Sequence, residues 1–183
     1  VKDFNTVLTA GRTHFPGTKP SVDLVVTSPP YGDSPTTVAY EQFSWLTNIW
    51  LGLDTRPAGQ LGRDMMGGIT DKIVEKTGHR SIDSAISKMD EKFAKSNYSF
   101  YRDYLESIQN LSKVVNKDGY VCYIVGNRTS GGQNLRLDLF TRWAFKQNGF
   151  KRVGEIKKRR IPGTRMPSVI AINGKNIQKK VVQ

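Results

Sequence analysis

One short segment combines residue types that could bind and activate a planar amine. Ser28-Pro29-Pro30-Tyr31 follows directly after the apolar run 22–26. Two consecutive prolines cannot continue a sheet interior or a helix, so we expect the strand to end there with a rigid backbone. In an open α/β sheet, ligands bind beyond the carboxyl ends of the strands. The Ser28 hydroxyl and the Pro29 carbonyl are then two fixed hydrogen-bond acceptors, and Tyr31 offers a flat ring.

These groups suit a planar base that carries an exocyclic amine. Ser28 and Pro29 could each accept one amine N–H, and Tyr31 could stack on the ring. Such an amine is a poor nucleophile because its lone pair is delocalised into the ring. Acceptors placed off the ring plane favour a more pyramidal nitrogen, and they stabilise its developing positive charge by about a few kcal/mol. The segment therefore predicts transfer of an electrophilic group, such as methyl, to a base amine.

The same segment carries a family resemblance. Residues 23–31, Asp-Leu-Val-Val-Thr-Ser-Pro-Pro-Tyr, resemble motif IV of the S-adenosylmethionine-dependent amino-methyltransferases of DNA. The Ser-Pro-Pro-Tyr form is usual in N4-cytosine enzymes, whereas Asp/Asn-Pro-Pro-Tyr forms dominate among N6-adenine enzymes. The continuation 32–44 is also similar to bacterial DNA modification methylases. Residues 118–127 resemble the fifth strand of that fold, and 159–168 resemble its hairpin.

The resemblance implies an activity and a set of catalytic residues. It implies transfer of methyl from S-adenosylmethionine to the exocyclic amine of a flipped DNA base, cytosine N4, within a restriction-modification system. Ser28, Pro29, Pro30 and Tyr31 are the implied catalytic residues. An adenine-N6 or RNA methyltransferase stays open, as does a non-catalytic DNA-binding or structural module of the same fold.

The cofactor site is only partly matched. The resemblance implies contacts to S-adenosylmethionine from Gly11, Arg12 and Thr27. Family members often have Gly-Asp-Ala where this chain has Ala-Gly-Arg at 10–12, so an acidic contact to the adenine is absent or supplied elsewhere. No Phe-x-Gly-x-Gly pattern occurs, and the glycine-containing stretch 126–132 is typical of an ordinary strand-to-helix loop. We therefore expect residues 1–183 to be the catalytic part of a methyltransferase domain, completed by a complementary segment or subunit.

The excess of positive charge lies in the last third of the chain. Residues 119–183 hold 14 lysines and arginines against two acids, so they carry the whole net charge of +12. A basic surface of this kind suits a polyanion, and DNA is the predicted partner. The alternatives are a solvated face or a basic edge strand that prevents aggregation. The predicted DNA-binding residues are Arg128, Lys157, Lys158, Arg159, Arg160 and Arg165.

The order of elements predicts an α/β protein of the Rossmann-like class I methyltransferase fold, incomplete, with a largely parallel sheet closed by an antiparallel terminal hairpin. A helical and loop insertion is expected at about 36–98. The predicted strands are 5–8, 22–26, 120–125, 151–157 and 168–173. The predicted helices are 40–53, one with a face at Ile82, Ile86, Met89 and Phe93, one from an N-cap at Ser99 to Val115, and one ending at Asn148-Gly149. Residues 54–70 are expected to form a loop, and 117–119 a turn.

Composition excludes several classes. One cysteine and two histidines exclude a disulfide framework and a four-cysteine zinc site, and no metal is expected. No run of eighteen apolar residues occurs and no signal-peptide pattern begins the chain, so a cytoplasmic protein is predicted. Cys122 and the stripe Phe43, Leu46 and Trp50 are predicted to be core, and neither histidine is expected to be catalytic.

Overall fold

The computed structural model describes residues 20–33, 40–52, 60, 62–63, 65–70, 75–157, 169–172 and 175–178. The chain forms two units, 1–151 and 152–183. The first unit holds the main core and the Ser-Pro-Pro-Tyr segment. The predicted strand at 5–8 lies outside the described residues.

Two parallel strands form the centre of the first unit. β1 spans Val22–Thr27 and pairs in parallel with β2, Val115–Tyr123. Thr27 lies opposite Tyr123, so the carboxyl ends of both strands meet at one edge of the sheet. The register shifts between Val22 and Leu24, and the predicted turn at 117–119 falls at this irregularity. The described residues thus confirm an α/β arrangement with parallel pairing, while the larger sheet stays an expectation.

Only one face of this strand pair is covered by described residues. Val25 is 3% exposed against the helices, whereas Leu24 and Val26 are about 60% exposed on the opposite face. Tyr120 and the free Cys122 are exposed on β2. The prediction that Cys122 lies in the core is wrong. The reason is that helices pack against one side of the strand pair, so alternate side chains remain exposed.

The two helices predicted between Ile82 and Val115 are present, but their boundaries differ from the predicted ones. α1 is Tyr40–Trp50, α2 is Arg80–Ile86 and α3 is Glu91–Val114. Phe93 thus belongs to α3 and not to the helix of Ile82. Ser99 is not an N-cap; it lies inside α3, where its hydroxyl donates to the Lys95 carbonyl. Apolar residues continue at helical spacing across the break between α2 and α3, so periodicity alone could not locate the break.

Local hydrogen bonds fix the start of α2. His79 is its N-cap, and the ring Nδ1 accepts from the Ile82 amide at 3.4 Å. Asp83, in the first turn, accepts from both the amide and the hydroxyl of Thr77 at 2.9 and 2.8 Å. The Ile82 amide also donates to the His79 carbonyl at 3.0 Å, so His79 holds the first turn of α2 with both its ring and its backbone. His79 therefore has a structural role as the N-cap of α2.

An aromatic cluster joins α3 to α4, which spans Leu137–Gln147. The rings of Tyr101 and Phe140 meet edge to face with centroids 4.7 Å apart, and both side chains are buried. Each such burial contributes about 1.5–3 kcal/mol. The buried Tyr104 hydroxyl lies 2.8 Å from the Thr141 hydroxyl. Burial raises the pKa of Tyr104, so this phenol remains neutral in the folded protein.

The glycine-containing stretch before α4 is a hairpin and not a loop as predicted. β3, Arg128–Ser130, pairs antiparallel with β4, Gln133–Leu135. Gly131 and Gly132 form the two-residue turn with φ of 52° and 73°. Two adjacent positive φ values are the geometry that such hairpin turns require, which explains the glycine pair. The predicted stop of α4 is confirmed, since Gly149 has a φ of 85°.

The apolar stripe of α1 is not core among the described residues. Phe43 and Trp50 are 78% and 79% exposed, and Leu46 is 52% exposed. The prediction that this stripe is buried is therefore wrong here: the helix period was read correctly, but no described element packs on that face. The predicted loop at 54–70 contains helical residues at 60 and 62–63.

The second unit contains a hairpin of which one strand matches the predicted strand 168–173 and the other lies elsewhere than predicted. β5, Val169–Ile172, pairs antiparallel with β6, Lys175–Gln178. The predicted partner strand at 151–157 has no regular structure. Residues 173–174 are Asn-Gly, a strong sequence signal for a hairpin turn. An antiparallel hairpin is therefore present, but among the described residues it forms a sheet of its own and does not pair with β1 or β2 as predicted.

Among the described residues, no helix is both long enough and apolar enough to cross a bilayer.

The Tyr104 hydroxyl provides a test of the core. Tyr104→Phe should lower the free energy of unfolding by about 1 kcal/mol, because a buried hydrogen bond is lost while Thr141 keeps its bond to Leu137. Urea unfolding measures this change. Tyr120→Phe, at a 60% exposed ring, is the control and should change stability little. Equal losses in the two variants would contradict the assigned role.

Candidate active site

The Ser-Pro-Pro-Tyr segment leaves the sheet at the carboxyl end of β1. The Thr27 carbonyl still accepts from the Ile124 amide at 2.9 Å, so the pairing with β2 reaches the last residue before the motif. Ser28 then lies exposed, whereas Pro29 is buried. Because proline has no N–H, the chain cannot continue the ladder and turns away from the sheet. The Ser28 hydroxyl is thus accessible on a segment whose next residue is held by packing.

Tyr31 lies against the backbone at Gly126, in the segment that follows β2. A β-carbon on Gly126 would come within 3.0 Å of Cδ2 and 3.2 Å of Cε2 of the Tyr31 ring. The ring is 39% exposed, so one part contacts the protein and another remains available. Only glycine at 126 leaves room for this contact without a shift. The parallel strands therefore bring the aromatic ring and its glycine support together at one edge.

A buried ion pair lies directly beyond the motif. The Asp33 side chain is 1% exposed, and its Oδ1 accepts from Arg128 Nη2 at 2.7 Å. Ser96 donates to the other carboxylate oxygen at 3.0 Å. The Arg128 side chain is itself only 14% exposed. The loop that carries Tyr31 thus ends at a carboxylate held by charge and hydrogen bonds.

Residues of α3 complete this polar cluster. Asn97, 1% exposed, accepts from Arg128 Nη2 at 2.6 Å through its side-chain oxygen. Its amide group donates to the Phe93 carbonyl at 2.7 Å and to the Ser130 hydroxyl at 3.0 Å. The Arg128 guanidinium lies 5.9 Å from the centre of the Phe100 ring. Every polar group of Asn97 is therefore used to orient Arg128 or to anchor β3.

A cleft of about 470 Å³ opens beside this cluster. Asp33, Ser96 and Ser130 lie on its polar side, and Phe93 and Lys92 contribute an aromatic ring and a cation. The cleft thus adjoins the Asp33 end of the loop that carries Tyr31.

Tyr123, the residue opposite Thr27 on β2, is unsuited to proton transfer. Burial raises the pKa of Tyr123 to about 12, so its phenol is neutral at physiological pH. Its ring packs edge to face on Phe145 with centroids 4.9 Å apart. Tyr123 therefore has a packing role at the carboxyl end of β2, opposite the residue that precedes Ser28.

The predicted site residues have different placements. Ser28, Pro29, Pro30 and Tyr31 lie together at the sheet edge, and Thr27 is the half-buried last residue of β1. Arg128 is turned toward Asp33 and Asn97, a placement that does not favour its predicted DNA contact. Lys157 is exposed in the second unit. The predicted residues that lie outside the described part of the chain are Gly11, Arg12, Lys158, Arg159, Arg160 and Arg165.

Sequence reasoning missed three neighbours of the motif: Asp33, Asn97 and Gly126. Asp33 follows Tyr31 closely, but no lysine or arginine lies within ten residues of it in the sequence to mark it as half of an ion pair. Asn97 and Gly126 gave no usable signal, because their importance comes from contacts made across the fold.

Comparison with known proteins supports a relationship to modification enzymes. The type II methyltransferase M.MvaI of Kocuria varians is 38% identical over 158 residues, which cover 80% of this chain and 35% of that protein. This chain is similar to a type II methyltransferase. It spans about a third of the length of the curated relative that it matches. No protein-family model matches the chain, and no solved structure matches it.

The Ser-Pro-Pro-Tyr site offers a direct test of the Tyr31 contact. Gly126→Ala should displace the Tyr31 ring, because the new β-carbon would approach it to 3.0 Å. NMR of the chain with ring-labelled tyrosine should show shifted Tyr31 resonances and unchanged Tyr104 resonances. Gly154→Ala is the control, since a β-carbon there meets nothing within 4 Å. Unshifted Tyr31 resonances in Gly126→Ala would refute the contact.

Proposed function

We propose that this chain is the catalytic part of an S-adenosylmethionine-dependent DNA methyltransferase of a restriction-modification system, acting on the N4 amine of a flipped cytosine. The observation that carries the proposal is the exposed Ser28 on a segment fixed by buried Pro29 and by Tyr31 against Gly126. The similarity to a type II methyltransferase supports the same activity. The Ser-Pro-Pro-Tyr form of the motif supports cytosine over adenine.

The chain's own groups would act on the target base. The Ser28 hydroxyl and the Pro29 carbonyl accept the two amine N–H groups, and the exposed part of Tyr31 stacks on the base. The acceptors stabilise positive charge on the nitrogen as its bond to the methyl carbon forms. The nitrogen then loses one proton to solvent. When it is bound, S-adenosylmethionine would supply the electrophilic methyl group, and its sulfur would keep the electron pair of the S–CH3 bond that breaks.

The cofactor would be held only in part by this chain. Gly11, Arg12 and Thr27 are the proposed contacts, and Thr27 ends β1 next to Ser28. Gly131 and Gly132 serve the hairpin turn instead, with Met89 packed against Gly131. We therefore assign the rest of the cofactor site to a complementary methyltransferase segment or subunit. DNA is the macromolecular substrate in this proposal.

Methyl transfer to DNA tests the chemistry. The chain is incubated with radiolabelled S-adenosylmethionine and DNA, alone and with a complementary methyltransferase segment or subunit, and the methylated base is identified. N4-methylcytosine is expected. Ser28→Ala should reduce the rate by about tenfold or more, because one acceptor for the amine is lost, while DNA affinity changes little. Ser84→Ala, an exposed hydroxyl on α2, is the control.

The outcomes separate the alternatives. N6-methyladenine as the product would refute the cytosine assignment, and labelled RNA alone would refute DNA as the substrate. No transfer even with the complementary segment present would favour a non-catalytic module. A monomer that binds S-adenosylmethionine by itself would contradict the complementary segment. Loss of DNA binding in Ser28→Ala would contradict the catalytic role of Ser28.

Lys157, which is exposed in the second unit, and Lys158, which follows it in the sequence, should contact DNA phosphates. Lys157→Gln with Lys158→Gln should weaken DNA binding, and the slope of log K against log salt should fall by about 0.9 for each lost contact. Fluorescence anisotropy at several salt concentrations measures both. Lys113→Gln with Lys117→Gln removes the same charge near the amino end of β2, far along the strand from Ser28, and should leave the slope unchanged. Equal slopes in both double variants would contradict the assignment.

A further inference from the structure

Arg128 reaches from β3 to the loop that carries the catalytic motif. Its Nη2 donates to Asp33 at 2.7 Å and to Asn97 at 2.6 Å. These two residues come from the loop after β1 and from α3. With 14% of its side chain exposed, the guanidinium has little surface left for a phosphate. Its interactions are those of an interior cation that joins three parts of the fold.

The loop is shaped to accept this guanidinium. A β-carbon on Gly32 would collide with Nη1 of Arg128, so the backbone between Tyr31 and Asp33 lies in direct contact with the cation. Gly67 closes the other side, since a β-carbon there would lie 2.8 Å from the Asp33 β-carbon. Asp33 therefore cannot move without breaking its ion pair or displacing neighbouring backbone.

One short stretch of chain holds the motif at two points. Gly126 supports the Tyr31 ring, and two residues later Arg128 binds the Asp33 carboxylate. The distance along the chain from Tyr31 to Asp33 is also two residues, so the two segments run side by side and contact each other at both ends. A shift of Arg128 would release Asp33 and with it the backbone that orients Tyr31.

We infer that Arg128 is a positioning residue: through its ion pair with Asp33 it fixes the 28–33 loop in the geometry needed for transfer, and it does not bind DNA. This role rests on the proposed function, since that function makes the 28–33 loop catalytic. It predicts that loss of the pair lowers turnover while the affinity for DNA is retained.

The test requires a variant that still folds. Arg128→Met alone leaves a buried carboxylate without its cation, which is strongly destabilising. Adding Asp33→Asn removes that charge, so the double variant should keep the protected amides of α3 and α4. Arg142→Met, on an exposed side chain of α4, removes one positive charge without touching the loop and is the matched control.

Hydrogen exchange measures the loop without any need for activity. In the folded full-length double variant, the amides of Ser28, Tyr31, Gly32 and Asp33 should exchange about tenfold faster than in the wild type, because the loop opens more often. Arg142→Met should match the wild type. Unchanged exchange in the double variant would overturn the positioning role.

Turnover and DNA binding complete the test. With the complementary segment present, the double variant should transfer methyl about tenfold more slowly, with KM for DNA within about twofold and the same salt slope. A salt slope smaller by about 0.9 would instead identify Arg128 as a phosphate contact. A wild-type rate despite faster exchange would also overturn the inference. If the wild type transfers no methyl while the variant's loop exchanges faster, the proposed function fails and the positioning of the loop stands.

Discussion

The parallel pairing of β1 with β2 is the constraint on which the candidate site depends. Because parallel strands run in one direction, both leave the sheet at the same edge. Thr27 opposite Tyr123 sets the register, and the segments that follow must then run close together. This is why Tyr31 meets Gly126 and why Arg128 can reach Asp33. A register shifted by one residue would invert the faces of β2 and separate these contacts.

The buried Asp33 carboxylate adds a second constraint. Removing a charge from water is costly, and the cost is recovered only when a cation and further hydrogen bonds satisfy the group. Arg128 and Ser96 provide them, and Asn97 aligns the guanidinium from the other side. A half-formed arrangement would leave a desolvated charge, so intermediate loop positions are unfavourable. This arrangement therefore favours one geometry of the loop, although a buried ion pair contributes little net stability to the fold.

The sequence allowed some of this to be predicted because certain signals are local. Two prolines after a β-branched run end a strand wherever they occur, so the exposed Ser28 beyond β1 could be expected. The Arg128–Asp33 contact could not, since the two residues are 95 positions apart and either could have been a surface charge. Exposure was also misjudged: Cys122 and Phe43 have apolar neighbours in sequence, but whether they are buried depends on what packs on their face. Periodicity predicts that one face of an element is apolar, but it does not predict whether another element packs on that face.

The basic last third of the chain contains positive charges of two kinds. Arg128 is desolvated, and its charge is cancelled by Asp33 at 2.7 Å, so it contributes little to the field that DNA would meet. Lys151, Arg152 and Lys157 are exposed, where charge acts over about 8–10 Å at physiological salt and attracts a polyanion without fixed geometry. Burial of Arg128 does not change the balance of charge at the surface, because its partner Asp33 is buried with it and the pair is neutral. The net charge of +12 is therefore carried by other residues. One arginine of this chain therefore fixes the loop at the candidate site, while long-range attraction for a polyanion is left to the exposed basic residues.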